Sequence, residues 1–126
     1  MAVILVVEDD EQFRNMLVLQ LSRQGHRVIH ACSAKEGLQL YQQACPDLIL
    51  TDLIMPDMDG IELIMQLRRL GNSTPIIAMS GGGRSMKTES NLKMVELLGA
   101  AATLAKPFSR EQLLQAIEDV LSGTAK

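Results

Sequence analysis

The chain of 126 residues has only two cysteines, Cys32 and Cys45. Two are too few for a disulfide framework, and no metal-ligand spacing surrounds them, so reduced thiols in a cytosolic compartment are expected. No apolar run approaches the length of a membrane span. The apolar run over residues 1–7 is too short for a signal peptide and lacks a charged leader. Basic residues are not in excess: Lys and Arg number 12 against 15 Asp and Glu, for a net charge of −3. Direct nucleic-acid binding by this chain is therefore not expected, and any DNA-linked role has to run through another chain or domain. Internal repeats, low-complexity segments and linkers are also missing. What is present is an ordinary globular composition, 47% hydrophobic and 21% charged. The expectation is a soluble, cytoplasmic protein with no membrane association, folded as a single domain over residues 1–126 with enough chain to bury a core.

The apolar segments alternate between two periods. Residues 2–7 form an unbroken Val/Ile/Leu-rich run, which suits a central strand covered on both faces. The run ends in Glu8-Asp9-Asp10, and Asp9 or Asp10 can cap a helix bearing Phe13, Met16, Leu17 and Leu21 that stops near Gly25. Residues 26–31 read as a weaker strand whose polar flanks suit a sheet edge. Ser33 to Glu36 matches a capping box, opening a helix with Ala34, Leu38, Tyr41 and Cys45 on its apolar face, and Pro46 closes it. A strand over 47–51 leads to Asp52. A helix from Gly60 to Gly71 carries Ile61, Ile64 and Leu67, and a strand over 76–79 ends at Ser80. Gly81-Gly82-Gly83 predicts a mobile loop, followed by a helix over 85–98. A strand over 100–105 ends at Lys106-Pro107. A second capping-box match, Ser109 to Gln112, starts a last helix using Leu113, Leu114, Ile117, Val120 and Leu121, with residues 122–126 as a frayed tail. Five strand–helix units in alternation predict an α/β fold: a doubly wound parallel sheet of five strands with helices on both faces.

Parallel strands all open at one edge, so whatever terminates them converges there. Here the terminating residues are Glu8 and Asp9, Asp52, Ser80 and Lys106: three carboxylates, a hydroxyl and an ammonium. The convergence is far more specific than any one of its members. Carboxylates 4 Å apart repel by about 4 kcal/mol per pair at an effective dielectric near 20. One divalent cation together with Lys106 cancels the three negative charges. An all-oxygen donor set without Cys or His fits Mg2+ and argues against zinc. A carboxylate beside Mg2+ and Lys can act as nucleophile toward a phosphoryl donor, with the cationic groups neutralising the transferring oxygens.

Val6-Val7-Glu8-Asp9, Leu50-Thr51-Asp52, Met55-Pro56, Asp59-Gly60, Met79-Ser80 and Lys106-Pro107-Phe108 together resemble the receiver domain of two-component response regulators, the CheY-like superfamily. The resemblance covers nearly the whole chain, with the motifs in the family's order. It implies the flavodoxin-like (βα)5 strand order 2-1-3-4-5. It implies Asp52 as phosphoacceptor, and Glu8, Asp9, Asp52 and the backbone carbonyl of Ile54 as the Mg2+ ligands. Lys106 would pair with the phosphoryl oxygens, and Ser80 would be the switch hydroxyl. A cis Lys106–Pro107 peptide is also implied, which an X-Pro bond can adopt. The implied function is a signalling switch rather than an enzyme, catalysing only its own phosphorylation and dephosphorylation. The phosphoryl donor would be a sensor histidine kinase or phosphotransfer protein. The face built from the 85–98 helix, the fifth strand and the last helix would carry the message to a downstream effector or output domain.

Three departures from the family pattern stand out. The position on the fifth strand that often holds an aromatic is Thr103, so a Tyr or Phe rotamer switch there is not expected. The spacing from Ser80 to Lys106 is long. Ile54 and Gly82, at positions that tune dephosphorylation, cannot activate a water, which points to slow loss of the phosphoryl group.

Competing readings are weaker. Asp57-Met58-Asp59-Gly60 mimics a phosphatase nucleophile motif, but that motif should directly follow a strand and Pro56 intervenes. Residues 81–88 approach a phosphate-binding loop, but Met86 stands where close backbone approach needs glycine. The alternative from another functional class is a receiver-like interaction module that binds partners without phosphorylation. The intact set of Glu8, Asp9, Asp52 and Lys106 weighs against it.

Overall fold

The runs rich in Val, Ile and Leu form the strands, and the 3.6-period segments between them form the helices. A computed structural model describes residues 2–53, 60–71, 73–80 and 99–123. In chain order the elements are β1 (Val3–Val7), α1 (Glu11–Arg23), β2 (Arg27–Ala31), α2 (Ala34–Ala44), β3 (Leu48–Asp52), α3 (Gly60–Arg69), β4 (Ile76–Ser80), β5 (Ala102–Ala105) and α4 (Arg110–Ser122). All adjacent strands are parallel, in the order β2-β1-β3-β4-β5. This is the flavodoxin-like order implied by the sequence motifs. The glycine run, the predicted 85–98 helix and the segment 54–59 lie outside the described residues. Among the described residues no helix is long and apolar enough to cross a membrane.

Side-chain alternation along the strands divides the core into two layers. Leu5, Val7, Ile49, Ile76 and Ala78 face one way and pack with Ala34 and Tyr41 of α2 and Leu63, Ile64 and Leu67 of α3. Ile4, Val6, Leu48, Leu50, Ile77 and Met79 face the other way, against Leu17 and Leu21 of α1 and Leu113, Ile117 and Val120 of α4. At Gly37 α2 lies so close to β1 that a Cβ would sit 2.9 Å from a methyl of Val7, so glycine permits the approach.

Local signals explain most helix boundaries. Asp10 caps α1 by accepting from the Phe13 N–H. Ser109 and Gln112 form the full reciprocal capping box of α4, which runs on through Ser122 and ends at Gly123 in the left-handed region. Ser122, expected in the frayed tail, is thus the last helical residue, and residues 124–126 lie outside the described residues. The match at Ser33 is realised by half: Ser33 Oγ accepts from Glu36 N–H, but the Glu36 carboxylate reaches past Ser33 to the N–H and thiol of Cys32. Three residues leave their predicted faces, Leu121 among them at 36% exposure. Cys45 is exposed because it caps α2 with a left-handed φ of 48°, which takes it off the helical repeat. Met16 is also exposed, being one residue around the helix from the buried Leu17.

Candidate functional site

Strand register determines which polar residues can meet. Val7 is level with Thr51, Asp52 with Met79, and Ser80 with Ala105. Glu8 and Asp52 therefore emerge side by side at the carboxyl edge, and Lys106 follows immediately beyond β5. Glu8, Asp52 and Lys106 also share the alternation parity of Ile4, Leu50 and Leu104, so all three belong to the layer covered by α1 and α4.

The side chains do meet. The Lys106 ammonium donates to Glu8 Oε1 at 2.9 Å and to Asp52 Oδ2 at 3.3 Å. Each carboxylate also accepts from the backbone: Glu8 Oε2 from Asp10 N–H at 3.0 Å, Asp52 Oδ1 from Leu53 N–H at 2.8 Å. Glu8 is 1% exposed and Asp52 5%. Asp9 is exposed at the mouth, and one carboxylate oxygen from each of Glu8, Asp9 and Asp52 lies within 4.8 Å of the others.

Burial sets the electrostatics of this cluster. Desolvation pushes the Glu8 carboxyl above its ordinary range, an effect only partly offset by the Lys106 and Asp10 hydrogen bonds. For Lys106, burial works against the charge, but the hydrogen bond to Glu8 and the nearby Asp52 carboxylate outweigh it and hold the ammonium above the usual lysine value. Three carboxylates and one ammonium leave two negative charges, the complement of a single divalent cation. The clustering of these oxygens and their hard, all-oxygen character suit such an ion.

Ser80 behaves differently from the rest of the set. It reaches the same edge, and its backbone carbonyl accepts from Lys106 N–H at 2.8 Å. Its hydroxyl is buried and has no hydrogen-bond partner among the described residues. Parity is the reason: Ser80 follows Ile76 and Ala78, which face the opposite layer from Asp52. Ile54, the expected carbonyl ligand, lies outside the described residues. The Lys106–Pro107 peptide is cis. Thr103 sits on β5 level with Ala78 and is half-buried.

Two site residues were not singled out as such by their sequence positions. Arg14 donates to the backbone carbonyl of Glu8 at 2.9 Å, pinning the end of β1 to α1. Phe13, read from its spacing as a core residue of α1, presents its ring to Lys106 with the ammonium 4.5 Å from the centroid. The signal available in the sequence was Asp10: a capping residue there begins α1 at the site, which turns the first helical positions toward it.

A family model described as response regulator receiver domain matches residues 4–118. The chain is 36% identical over 118 residues to the transcriptional regulatory protein AfsQ1 of Streptomyces coelicolor, covering 94% of this chain and 50% of that protein. It thus spans about half the length of this curated relative. Among solved structures, a response regulator receiver domain protein from Clostridium thermocellum superposes with a TM-score of 0.89 at 26% identity, covering 98% of this chain and 96% of that one. Vibrio cholerae chemotaxis protein CheY4 superposes with a TM-score of 0.85 at 31% identity, over 95% and 98%.

Proposed function

The chain belongs to the response regulator receiver family, and from that premise we propose that residues 1–126 form one receiver domain in which Asp52 accepts a phosphoryl group from a phosphohistidine. The observation that carries the proposal is the Lys106 ammonium bridging Glu8 and Asp52, at 2.9 and 3.3 Å, beside the Asp9 carboxylate. A surface ion pair would not need three carboxylates at the ends of two adjacent strands. A site that would hold a divalent cation opposite an arriving phosphoryl group does.

The donor would be a sensor histidine kinase or a phosphotransfer protein. A carboxylate oxygen of Asp52 attacks phosphorus and forms the new O–P bond while the P–N bond to the donor imidazole breaks. The ring nitrogen keeps the electron pair of that bond and takes a proton from solvent. Lys106 meets the phosphoryl oxygens, exchanging its contact with Asp52 for one with the incoming group. Glu8, Asp9, Asp52 and the Ile54 carbonyl would hold Mg2+, which when bound supplies positive charge opposite the transferring oxygens. Arg14 and the Asp10 N–H keep the end of β1, and with it Glu8, in place.

The new group brings about −1.5 to −2 of charge. The Ser80 hydroxyl, buried without a partner among the described residues, is the donor available to it. Turning that hydroxyl toward Asp52 biases an existing two-state equilibrium, and the face of β5 and α4 passes the change to an effector or output domain. Catalysis is confined to the domain's own phosphoryl chemistry.

Incubation with acetyl phosphate and Mg2+, followed by intact-mass measurement, tests the reading. One phosphoryl adduct is expected on the wild type and none on Asp52→Asn. An unmodified wild type, or an undiminished adduct on Asp52→Asn, overturns it.

A further inference from the structure

The chain has two phenylalanines, one tyrosine and no tryptophan, and both phenylalanines stand at the site. The Lys106 ammonium lies over the face of Phe13, 4.5 Å from the ring centroid. Phe108, two residues after Lys106, meets the same ring edge-on, with centroids 5.7 Å apart and planes at 69°. The backbone of Phe13 is tied to the acidic cluster as well. Its N–H donates to the Asp10 carboxylate at 3.0 Å, and Asp10 N–H donates to Glu8 Oε2 at 3.0 Å. Glu8 therefore holds the ammonium with one oxygen and, through Asp10, the backbone beneath the ring with the other.

Lysine is a point charge on a flexible stem, so two carboxylates do not by themselves define where it sits. A ring face attracts an ammonium through its quadrupole without adding net negative charge. A further carboxylate in the same place would hold Lys106 more tightly but would repel the phosphoryl donor. We propose that Phe13 is a positioning residue: its ring face holds the Lys106 ammonium between Glu8 and Asp52, where phosphoryl oxygens arrive. The proposal rests on the phosphoacceptor reading above and assigns to α1 a direct part in the placement of the site's lysine. Phe108 braces the ring in an edge contact, and both phenylalanines pack against the core layer of α1 and α4.

Stepwise fluorination of the Phe13 ring separates attraction from shape. Site-specific replacement of Phe13 by 4-fluoro-, 3,5-difluoro- and 3,4,5-trifluorophenylalanine weakens the ring face at nearly constant volume. Three quantities are read on the full chain. They are the rate of Asp52 phosphorylation by acetyl phosphate at fixed Mg2+, the ring-current shift of the Lys106 ε-methylene protons without any phosphoryl donor, and Tm. The expected result is a graded loss of rate reaching about five-fold in the trifluoro form, the factor that corresponds to ~1 kcal/mol. The Lys106 shift should decline in parallel while Tm stays nearly level, and Phe13→Trp should retain the wild-type rate. A flat rate series on a wild type that does phosphorylate reduces Phe13 to apolar filler and overturns the proposal alone. A wild type that takes no phosphoryl group overturns the phosphoacceptor reading instead. The Lys106 shift then decides the placement: graded loss supports it, and an unchanged shift across the series overturns it.

Discussion

Leu50 and Asp52 lie two residues apart on β3, face the same layer and are almost equally buried, at 0% and 5% exposure. The same holds across the end of β1 for Val6 and Glu8, at 0% and 1%. Burial has opposite meaning at the apolar and the polar member of each pair. At Leu50 and Val6 removal from water is itself the stabilising term, worth about 25 cal/mol per Å2 of apolar surface. At Glu8 and Asp52 the same removal is unfavourable, and Lys106 with the Asp10 and Leu53 N–H groups offsets it. Exposure alone does not tell stabilising residues from tolerated ones. The donors around the group do.

The largest expected effect comes from the apolar end. Leu50→Ala should lower the unfolding free energy by about 2–5 kcal/mol in urea titrations, since packed neighbours relax only partly into the cavity. A loss well under 1 kcal/mol would mean that the layer between α1 and α4 is not closely packed there. At the polar end, Lys106→Met leaves Glu8 and Asp52 facing each other without their cation. A loss of about 2 kcal/mol is expected, less than for a fully buried pair because the Lys106 side chain is 22% exposed. The two losses should answer differently to pH. The folded-state Glu8 carboxyl already titrates above its unfolded value, which penalises folding at pH above that raised value; the penalty lifts as pH falls through it. Removing Lys106 raises it further. Lys106→Met should therefore recover part of its stability between pH 7 and pH 5, relative to wild type, and Leu50→Ala should not. Parallel Tm-against-pH curves for the two variants would erase the distinction.

The smallest effect lies at the opposite edge of the sheet. His26 accepts a hydrogen bond from Ala2 N–H on Nδ1, and burial holds its pKa below the ordinary 6.5. The folded state therefore takes up the proton less readily than the unfolded chain, and stability falls as pH drops below 6.5. His26→Gln should flatten Tm between pH 7 and pH 5 by the equivalent of under about 1 kcal/mol. An unchanged slope would show that this histidine titrates alike in both states.

The sheet was legible in the sequence because uninterrupted apolar runs and strand-terminating carboxylates report directly on a parallel sheet and its open edge. The convergence of Glu8, Asp9, Asp52 and Lys106 followed from topology alone, since parallel strands share one carboxyl end. Cys45 was misplaced because a helical repeat was extended through a residue whose backbone had already turned left-handed. Glu36 bonds one residue earlier than the capping pattern implies, its carboxylate accepting from the Cys32 N–H and thiol in place of the Ser33 N–H. Phe13 was visible as a packed residue but not as a partner of Lys106. That contact joins positions 93 residues apart, and nothing local in the sequence encodes where the Lys106 side chain runs.

Ser80 carries the parity of Ile76 and Ala78, while Asp52 carries that of Leu48 and Leu50. The sheet is thus a partition, with the proposed phosphoacceptor Asp52 on the parity of one compartment and Ser80 on that of the other. A hydrogen bond from Ser80 to a phosphorylated Asp52 would therefore tie the α1–α4 compartment to the side of α2 and α3.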